Sequence, residues 1–168
     1  MRLLQKHPLL LSNSGKIVIF KEVFSPSCII VNLESQEKDE LFEELGQCIF
    51  SAHPEIDREK ALASLWEREA KMSTGIMRGV GIPHGTCKSV KKCAGAIGIS
   101  RGGIDYDSLD GNPVKVVFML LFGEDDNTLH LEVLKSLSQV LQDESFVDEL
   151  YKKQNPQDVF DFLCSREN

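Results

Sequence analysis

His84 is the residue of this chain best placed to do chemistry. It follows Pro83 and precedes Gly85 in a glycine-rich segment, and this proline–glycine pair predicts a tight turn that presents the imidazole at the surface. At about pH 7 a histidine is partly neutral, so one ring nitrogen has a lone pair that can attack phosphorus. Backbone N–H groups after the turn can point at an anion. The alternative is a histidine that only closes the turn.

His130 and Arg68 are the two further candidates. His130 falls in the first turn of a predicted helix, where the helix N-terminus favours an anion and disfavours an extra proton on the ring. Arg68 borders the buried face of another predicted helix, and its guanidinium can bind phosphate oxygens in a bidentate manner. Each has a structural alternative. His130 can be a core histidine bonded to a backbone carbonyl, and Arg68 can pair with Glu67 or Glu69 at the surface.

Other chemistries have less support in the sequence. His84 and Cys87 have the spacing of a metal-ligand pair, but no matching second pair follows, so we expect neither a metal nor another cofactor. The chain contains no GxxxxGK[ST] phosphate loop and no GxGxxG fingerprint. A nucleophile pair of Cys87 with a histidine stays open, although nothing singles it out.

Composition limits the class of partner. The chain has 168 residues, enough for one domain with a sizeable core. Its formal net charge is −7, and its sequence pI is about 5.1. Because an acidic surface repels nucleic-acid phosphates and anionic membranes, we expect neither as a partner. A basic protein surface suits this charge better.

The cysteines and the apolar runs indicate the compartment. The chain has five cysteines and no CxxC pair, which argues against a disulfide framework and favours a reducing compartment. The apolar run Leu9–Leu11 is too short for the core of a signal peptide, and no stretch approaches the length of a membrane span. We therefore expect a cytoplasmic protein without membrane insertion.

Hydrophobic periodicity predicts the helices that must position the candidate residues. Apolar side chains at three- and four-residue spacing predict long helices at residues 36–51, 58–72 and 129–142. Their expected N-caps are Ser35, Asp57 and either Asn127 or Thr128. The second helix is expected to bury Leu62, Leu65, Trp66 and Met72. Two short helices should finish the chain, the last of them beginning at Asn155-Pro156.

Short β-branched and apolar runs predict a sheet. The predicted strands are Ile17–Phe20, Cys28–Val31, Ala94–Ile99, Ile104–Tyr106 and Val114–Phe122. The last is nearly all apolar, which predicts a central strand covered on both faces. The turn signal at Asp110-Gly111 makes the sheet mixed. The predicted fold class is therefore α/β, with a single mixed β-sheet flanked by helices on both faces. Residues 1–16 are expected to be an N-terminal extension, and residues 17–168 a single domain.

Three segments, in order along the chain, carry a family resemblance. They are Glu67–Thr86 (EREAKMSTGIMRGVGIPHGT), Gly102–Phe122 (GGIDYDSLDGNPVKVVFMLLF) and Leu129–Leu150 (LHLEVLKSLSQVLQDESFVDEL). Together they resemble the fructose/mannitol-type IIA domains of the bacterial phosphotransferase system, including the nitrogen-regulatory IIA proteins. The resemblance covers about residues 24–164, so it implies that the single domain is a IIA-like phosphoryl carrier.

The resemblance implies a role for each candidate. His84 matches the histidine that is phosphorylated on Nε2, and His130 matches the second active-site histidine, which helps to hold the phosphoryl group. Arg68 matches an arginine that contributes positive charge to the site. N–H groups near Gly85 and Thr86 would stabilise the transferred group together with these side chains.

One departure from the family pattern adds a sixth candidate. Family members often have Gly-Asn where this chain has Met77-Arg78. A basic side chain at Arg78 is expected either to add to the phosphate site or to alter the choice of partner.

The same resemblance implies a phosphoryl donor, an HPr-like phosphocarrier protein, and leaves three fates for the phosphoryl group. The chain can be a regulatory protein whose phosphorylation changes which target proteins it binds. It can be a sugar-specific component that passes the group to a IIB domain. It can also be an interaction module that is never phosphorylated. The first reading is preferred because the sequence has no fused IIB or membrane segment and Gly102–Phe122 looks closest to the regulatory type.

Overall fold

The computed structural model describes residues 19–125 and 127–167. Six helices lie in this part of the chain: α1 (Phe20–Val23), α2 (Lys38–Ala52), α3 (Arg58–Lys71), α4 (Asn127–Val140), α5 (Glu144–Tyr151) and α6 (Pro156–Ser165). The five strands are β1 (Ile29–Ile30), β2 (Val80–Gly81), β3 (His84–Thr86), β4 (Cys93–Ile104) and β5 (Val114–Phe122). The N-terminal extension expected at residues 1–16 lies outside the described residues.

Strand β5 is the centre of the sheet, as its apolar run predicts. It pairs antiparallel with β4 along one side, and parallel with the short strands β2 and β3 along the other. Strand β1 completes the sheet by pairing parallel with β4. The hairpin between β4 and β5 turns at Gly111, whose φ of 74° is the left-handed conformation that glycine adopts without strain. The prediction of a mixed sheet is therefore confirmed.

Two hydrophobic layers form because side chains of β5 alternate between its faces. Val116, Phe118, Leu120 and Phe122 pack in the layer that includes buried residues of α1, α4, α5 and α6. Val117, Met119 and Leu121 pack in the opposite layer with α2 and α3. All seven side chains are fully buried. Helices thus cover both faces of the sheet, as the predicted fold class requires.

The strand predicted at Ile17–Phe20 is wrong where it can be compared. Phe20 begins helix α1, while Ile17 lies outside the described residues. Phe20, Val23 and Phe24 are all buried, and their spacing of three and four residues is that of a helix face. A helix of four residues is too short for this spacing to stand out from a β-branched run. By contrast, the strand predicted at Cys28–Val31 is present in shorter form as β1.

Helix α2 begins later than its predicted cap, Ser35. Glu37 is the N-cap, and it forms a reciprocal capping box with Glu40. The backbone N–H of Ser35 donates instead to Glu44 at 2.9 Å, which holds this part of the chain extended before the helix. The Ser35 hydroxyl is buried and has no hydrogen-bond partner within the described residues. Ser35 as the cap was therefore wrong.

Helix α3 has the predicted start and buries Leu65 as predicted, with Leu62 partly buried, but the predictions for Trp66 and Met72 are wrong. Asp57 caps the helix by accepting a hydrogen bond from the Lys60 N–H at 3.1 Å. The side chains buried on this helix are Ala61, Leu65 and Glu69. Trp66 and Met72, which were expected to be buried, are 40% and 57% exposed. The buried side chains follow four-residue steps from Ala61. In the sequence, the strong apolar character of tryptophan and methionine makes this pattern hard to recognise.

The remaining elements agree with the predictions in outline. Strand β4 runs through Ile104, with an irregularity after Ile99, where two separate strands were expected. Asn127 and Thr128 lie inside α4, so neither is its cap. Asn155 caps α6 ahead of Pro156, as predicted. No helix of the described part of the chain is long and apolar enough to cross a membrane.

Candidate functional site

His84 is the first residue of strand β3, and not part of a tight turn. Its partner in the register is Leu120 of β5, whose N–H donates to the Pro83 carbonyl at 2.9 Å. The ladder ends where the Cys87 N–H donates at 2.9 Å to the carbonyl of Phe122, the register partner of Thr86. The turn predicted at Pro83-His84-Gly85 is therefore wrong. An edge strand this short is defined by pairing with β5, which local sequence does not encode.

Gly85 is required by close packing and not by a turn. A Cβ atom at this position would lie 2.4 Å from the Ser64 Oγ atom and 2.9 Å from the Ser64 carbonyl carbon. Helix α3 therefore approaches β3 so closely that only glycine fits between them. This contact brings the last turn of α3, which carries Arg68, to the same edge of the sheet as His84.

One hydrogen bond fixes the protonation pattern of the His84 ring. Its Nδ1 atom lies 2.8 Å from the carbonyl oxygen of Ile82. Because a carbonyl only accepts, Nδ1 must carry the proton, and the neutral ring keeps its lone pair on Nε2. Burial lowers the pKa of His84, the Ile82 carbonyl opposes this, and the positive charge of Arg68 lowers it further. The ring is therefore held neutral at about pH 7, with Nε2 as its nucleophilic atom.

The structure brings the two predicted histidines together. The ring centroids of His84 and His130 are 5.8 Å apart, with their planes at 64°. His130 also stacks on Phe122, the last residue of β5, with 4.3 Å between centroids. Burial lowers the pKa of His130 as well. A second imidazole, stacked on an aromatic ring, thus lies beside the His84 ring with the two ring planes steeply inclined.

Arg68 lies near the pair and keeps most of its hydrogen-bonding capacity. Its Nη1 atom donates to the Met72 carbonyl at 2.9 Å, which anchors the guanidinium beside the C-terminus of α3. Neither Glu67 nor Glu69 forms an ion pair with it in the described part of the chain. The remaining N–H groups of the guanidinium have no protein partner within the described residues, and its charge acts on His84.

The other predicted site residues are Arg78, Gly85 and Thr86, and their polar groups point in different directions. Arg78 forms an ion pair with Glu144 of α5 at 2.8 Å, so its charge is directed at that helix. The parallel register directs the Gly85 N–H towards Leu120 of β5, which leaves it unavailable to an anion. Strand N–H groups alternate in direction, so that of Thr86 points away from β5, and its side chain is exposed.

A buried polar network next to the site was not foreseen. The Glu69 carboxylate accepts hydrogen bonds from the backbone N–H and the hydroxyl of Thr74, and it pairs with Lys38 at 3.1 Å. The Tyr106 hydroxyl lies 2.7 Å from the Thr74 hydroxyl. Burial and then the charge of Glu69 raise the pKa of Tyr106. The four-residue step from Leu65 to Glu69 places the carboxylate on the buried face of α3, but its charge argues against burial in a reading of the sequence alone.

The arrangement around His84 suits an incoming anionic electrophile. It combines a neutral ring with a free lone pair on Nε2, a second neutral imidazole, and a guanidinium with spare donors. Cys87, the suggested second member of a metal or nucleophile pair, is buried, and its Sγ lies 3.1 Å from the Ser89 hydroxyl. No cluster of three or more potential metal ligands occurs among the described residues.

Sequence comparisons find relatives among phosphotransferase components and nitrogen regulatory proteins. The chain is 35% identical to the fructose-specific EIIABC component of Bacillus subtilis over 142 residues, which are 84% of the chain and 22% of that protein. It is 25% identical to a nitrogen regulatory protein of Pseudomonas aeruginosa over 152 residues, 90% of the chain and 99% of that protein. The chain thus spans about a fifth of the length of the first relative and nearly all of the second.

Solved structures of other IIA proteins are similar in fold to this chain. The nitrogen regulatory protein IIA-Ntr of Neisseria meningitidis is similar, with a TM-score of 0.78 and 32% identity over 84% of this chain and 97% of that one. The IIA mannitol structure of Escherichia coli has a TM-score of 0.69 and 19% identity over 83% of this chain and 98% of that one, which shows the fold alone. The family model "Phosphoenolpyruvate-dependent sugar phosphotransferase system, EIIA 2" matches residues 22–165. The chain therefore belongs to the EIIA type 2 family of the phosphotransferase system, as the three sequence segments predicted.

Proposed function

We propose that this chain is a phosphoryl carrier in which Nε2 of His84 accepts a phosphoryl group from a phosphohistidine of an HPr-like protein. The observation that carries the proposal is the hydrogen bond from Nδ1 to the Ile82 carbonyl. It assigns the proton to one nitrogen and the nucleophilic lone pair to the other. A family whose EIIA domains are phosphoryl carriers supplies the chemical context.

In the proposed reaction, the lone pair of Nε2 forms a bond to phosphorus while the bond from phosphorus to the donor's imidazole breaks on the opposite side. The donor imidazole keeps the electron pair of the broken bond. Because phosphoryl transfer passes through a loose transition state, positioning and charge stabilisation dominate its catalysis. The modified His84 ring retains the Nδ1 proton and develops positive charge, which the Ile82 carbonyl stabilises.

Arg68, His130 and Thr86 have complementary parts in this proposal. The guanidinium of Arg68 binds phosphoryl oxygens with its spare N–H groups. The neutral ring of His130 donates one N–H to a phosphoryl oxygen, while stacking on Phe122 keeps the ring from turning away. The outward N–H of Thr86 is a third donor. Gly85 contributes by admitting α3, and Arg78 is not included because it pairs with Glu144.

The surface beside the site supports docking of a protein donor. Leu131 follows His130 and is 69% exposed, and Met72, whose carbonyl anchors Arg68, is also exposed. Protein interfaces combine an apolar core with a polar rim, and methionine is among the residues enriched in them. The net charge of −7 favours a donor with a basic surface, because opposite charges speed the encounter.

Intact-mass measurement tests the proposal directly. The protein is incubated with phosphoenolpyruvate, enzyme I and an HPr-like carrier, and we expect the mass to increase by one phosphoryl group. His84→Ala should abolish the increase, whereas the matched control His53→Ala, which removes a half-exposed histidine at the end of α2, should retain it. Persistence of the adduct in His84→Ala would show that the acceptor is misassigned. Absence of any adduct with every carrier tried would favour the interaction module.

For the fate of the phosphoryl group, we propose the regulatory role, in which phosphorylation of His84 changes the set of target proteins bound. Similarity to nitrogen regulatory proteins over 90% of the chain supports it. A second candidate is transfer to a sugar-specific IIB domain. It is favoured by 38% identity over 108 residues to the fructose-specific EIIA component of Haloferax volcanii.

Discharge of the phosphorylated protein distinguishes these two roles. The purified phosphoprotein is mixed with a fructose-type IIB domain, and the distribution of phosphate between the two proteins is followed over time. We expect the phosphate to stay on this chain for the regulatory role. Rapid transfer to the IIB domain would instead establish the sugar-specific role.

A further inference from the structure

Two cysteines on the α2 side of the sheet lie against each other. Cys28 ends a short 3-10 turn immediately before β1, and Cys48 lies in the second half of α2. The Cys28 thiol donates to the Cys48 carbonyl at 3.5 Å, and the Cys48 thiol donates to the Ser27 carbonyl at 3.3 Å. Ser27 directly precedes Cys28 in the chain. Each thiol is therefore directed at backbone of, or next to, the other cysteine.

The two thiols differ in exposure and in acidity. Cys28 is only 3% exposed, while Cys48 is half-buried and reaches solvent. The neighbouring Cys28 side chain lowers the pKa of Cys48 to about 7, and the proximity of Cys48, together with burial, raises the pKa of Cys28. Cys48 therefore has the thiolate character and the access that oxidation requires, and Cys28 lies behind it as a protected neighbour.

Two other cysteines of the chain have different surroundings. Cys87 is buried beside the Ser89 hydroxyl, and burial raises the pKa of Cys164 to about 11. All five cysteines lie among the described residues, and no disulfide joins any two of them. The pair on the α2 side is thus distinguished by geometry and not by the number of cysteines.

We propose that Cys28 and Cys48 are a reversible oxidation site that forms an intramolecular disulfide when the protein meets a peroxide. The Cys48 thiolate attacks one peroxide oxygen, and the bond between the two oxygens breaks. Cys48 becomes a sulfenic acid, and the second oxygen leaves, after taking up a proton, as water or an alcohol. The Cys28 thiol then attacks the Cys48 sulfur, the sulfur–oxygen bond breaks, and water leaves. Both thiols are oxidised and one peroxide is reduced.

The bond would join the start of β1 to α2 across 20 residues of chain. It lies in the layer formed by α2 and α3, whereas His84 and His130 meet at the edge of the sheet. Because the cross-link restricts the unfolded chain, the oxidised form should have a higher Tm than the reduced form. The proposal does not depend on phosphorylation, so the two can fail separately.

Titration of the reduced full-length chain with hydrogen peroxide tests the site. We expect intact mass to fall by two hydrogen atoms, peptide mapping without reductant to recover a Cys28–Cys48 cross-link, and dithiothreitol to reverse both changes. In Cys28→Ser the reaction should stop at the sulfenic acid of Cys48, which dimedone traps. Cys164→Ser is the matched control and should form the cross-link as the unmodified chain does.

Three outcomes would overturn the proposal. The first is an unchanged mass after peroxide treatment. The second is a cross-link that joins any other pair of cysteines or two copies of the chain. The third is equal dimedone labelling of Cys48 in the unmodified chain and in Cys28→Ser, since it would show that Cys28 does not resolve the sulfenic acid. Circular dichroism of Cys28→Ser verifies that the variant is folded, and Cys48→Ser, which should show neither reaction, provides a second test.

Discussion

Arg68 and Glu69 are neighbours at the end of α3, and their environments are opposite. Glu69 is buried, and Lys38 and Thr74 satisfy its carboxylate. Arg68 is half-buried and donates one hydrogen bond to the Met72 carbonyl, and its other N–H groups have no protein partner within the described residues. The comparison teaches that one turn of helix can supply both the rigid support of a site and its reactive surface. The support is recognised by satisfied polar groups, and the surface by spare ones.

The largest effect is expected when the buried polar network around Glu69 is broken. Glu69→Ala leaves the charge of Lys38 without its partner and the Thr74 groups without an acceptor. Removing one member of a buried pair costs about 3–5 kcal/mol of unfolding free energy. Urea denaturation measures it, and the exposed neighbour provides the control, because Glu67→Ala should change stability by less than about 0.5 kcal/mol. Equal losses in both variants would contradict the assigned roles.

The reactive side should respond in rate and not in stability. Arg68→Ala removes charge stabilisation from the proposed transfer and should slow phosphoryl uptake by about 10²-fold, the loss typical of a preorganised donor. Its unfolding free energy should change by less than about 1 kcal/mol, because only one partly exposed hydrogen bond is lost. Rapid-quench measurement of uptake gives the rate. Arg58→Ala, at the other end of α3, is the control and should not slow it.

A third change tests whether the approach of α3 positions both residues. Gly85→Ala places a methyl group within 3.0 Å of the helix backbone, so α3 must shift. Overpacking of this kind costs about 1–3 kcal/mol, and it should slow uptake as well because Arg68 moves with the helix. Gly102→Ala is the matched control, because a Cβ atom there meets nothing within 4 Å. A variant at Gly85 with unchanged rate and stability would show that the contact is not required.

His84 and His130 should make the unfolding free energy depend on pH. The pKa values of His84 and His130 lie below the ordinary value of 6.5, so the unfolded chain binds more protons than the folded chain. Their contribution to stability is therefore complete above about pH 6.5 and is lost as the pH falls towards their folded values. Denaturation at a series of pH values should show this loss, and His84→Ala should reduce it. Proton NMR of Arg68→Ala should show the His84 midpoint rising.

The smallest effect is expected at Arg78, which belongs neither to the buried network of Glu69 nor to the candidate site around His84. Its φ of 62° is strained for arginine, whereas asparagine adopts this conformation more readily. Arg78→Asn relieves strain of about 1 kcal/mol, and it loses an ion pair with the exposed Glu144, which contributes little. A small gain in unfolding free energy with unchanged phosphoryl uptake is expected. A marked loss of uptake would return Arg78 to the site.

The sequence predicted the elements whose signals are strong and local. The nearly all apolar nine-residue run of β5 and the Asp57 cap of α3 are such elements. Strand β3 is not one of them, because three residues become a strand only through pairing with β5. The Ile82 carbonyl that orients His84 is a backbone group with no signal in residue type. The inward position of Glu69 was hidden because a charged residue is rarely buried unless it is paired.

Under the proposed function, the bond between His84 and the Ile82 carbonyl also determines which phosphohistidine isomer would form. A histidine can be phosphorylated on either ring nitrogen, and the two products differ in lability and in the antibodies that recognise them. With Nδ1 committed to the carbonyl, the ring cannot turn over without losing that contact. A reagent selective for the τ isomer, which carries phosphate on Nε2, should therefore detect the phosphorylated chain. A reagent selective for the π isomer, which carries phosphate on Nδ1, should give no signal.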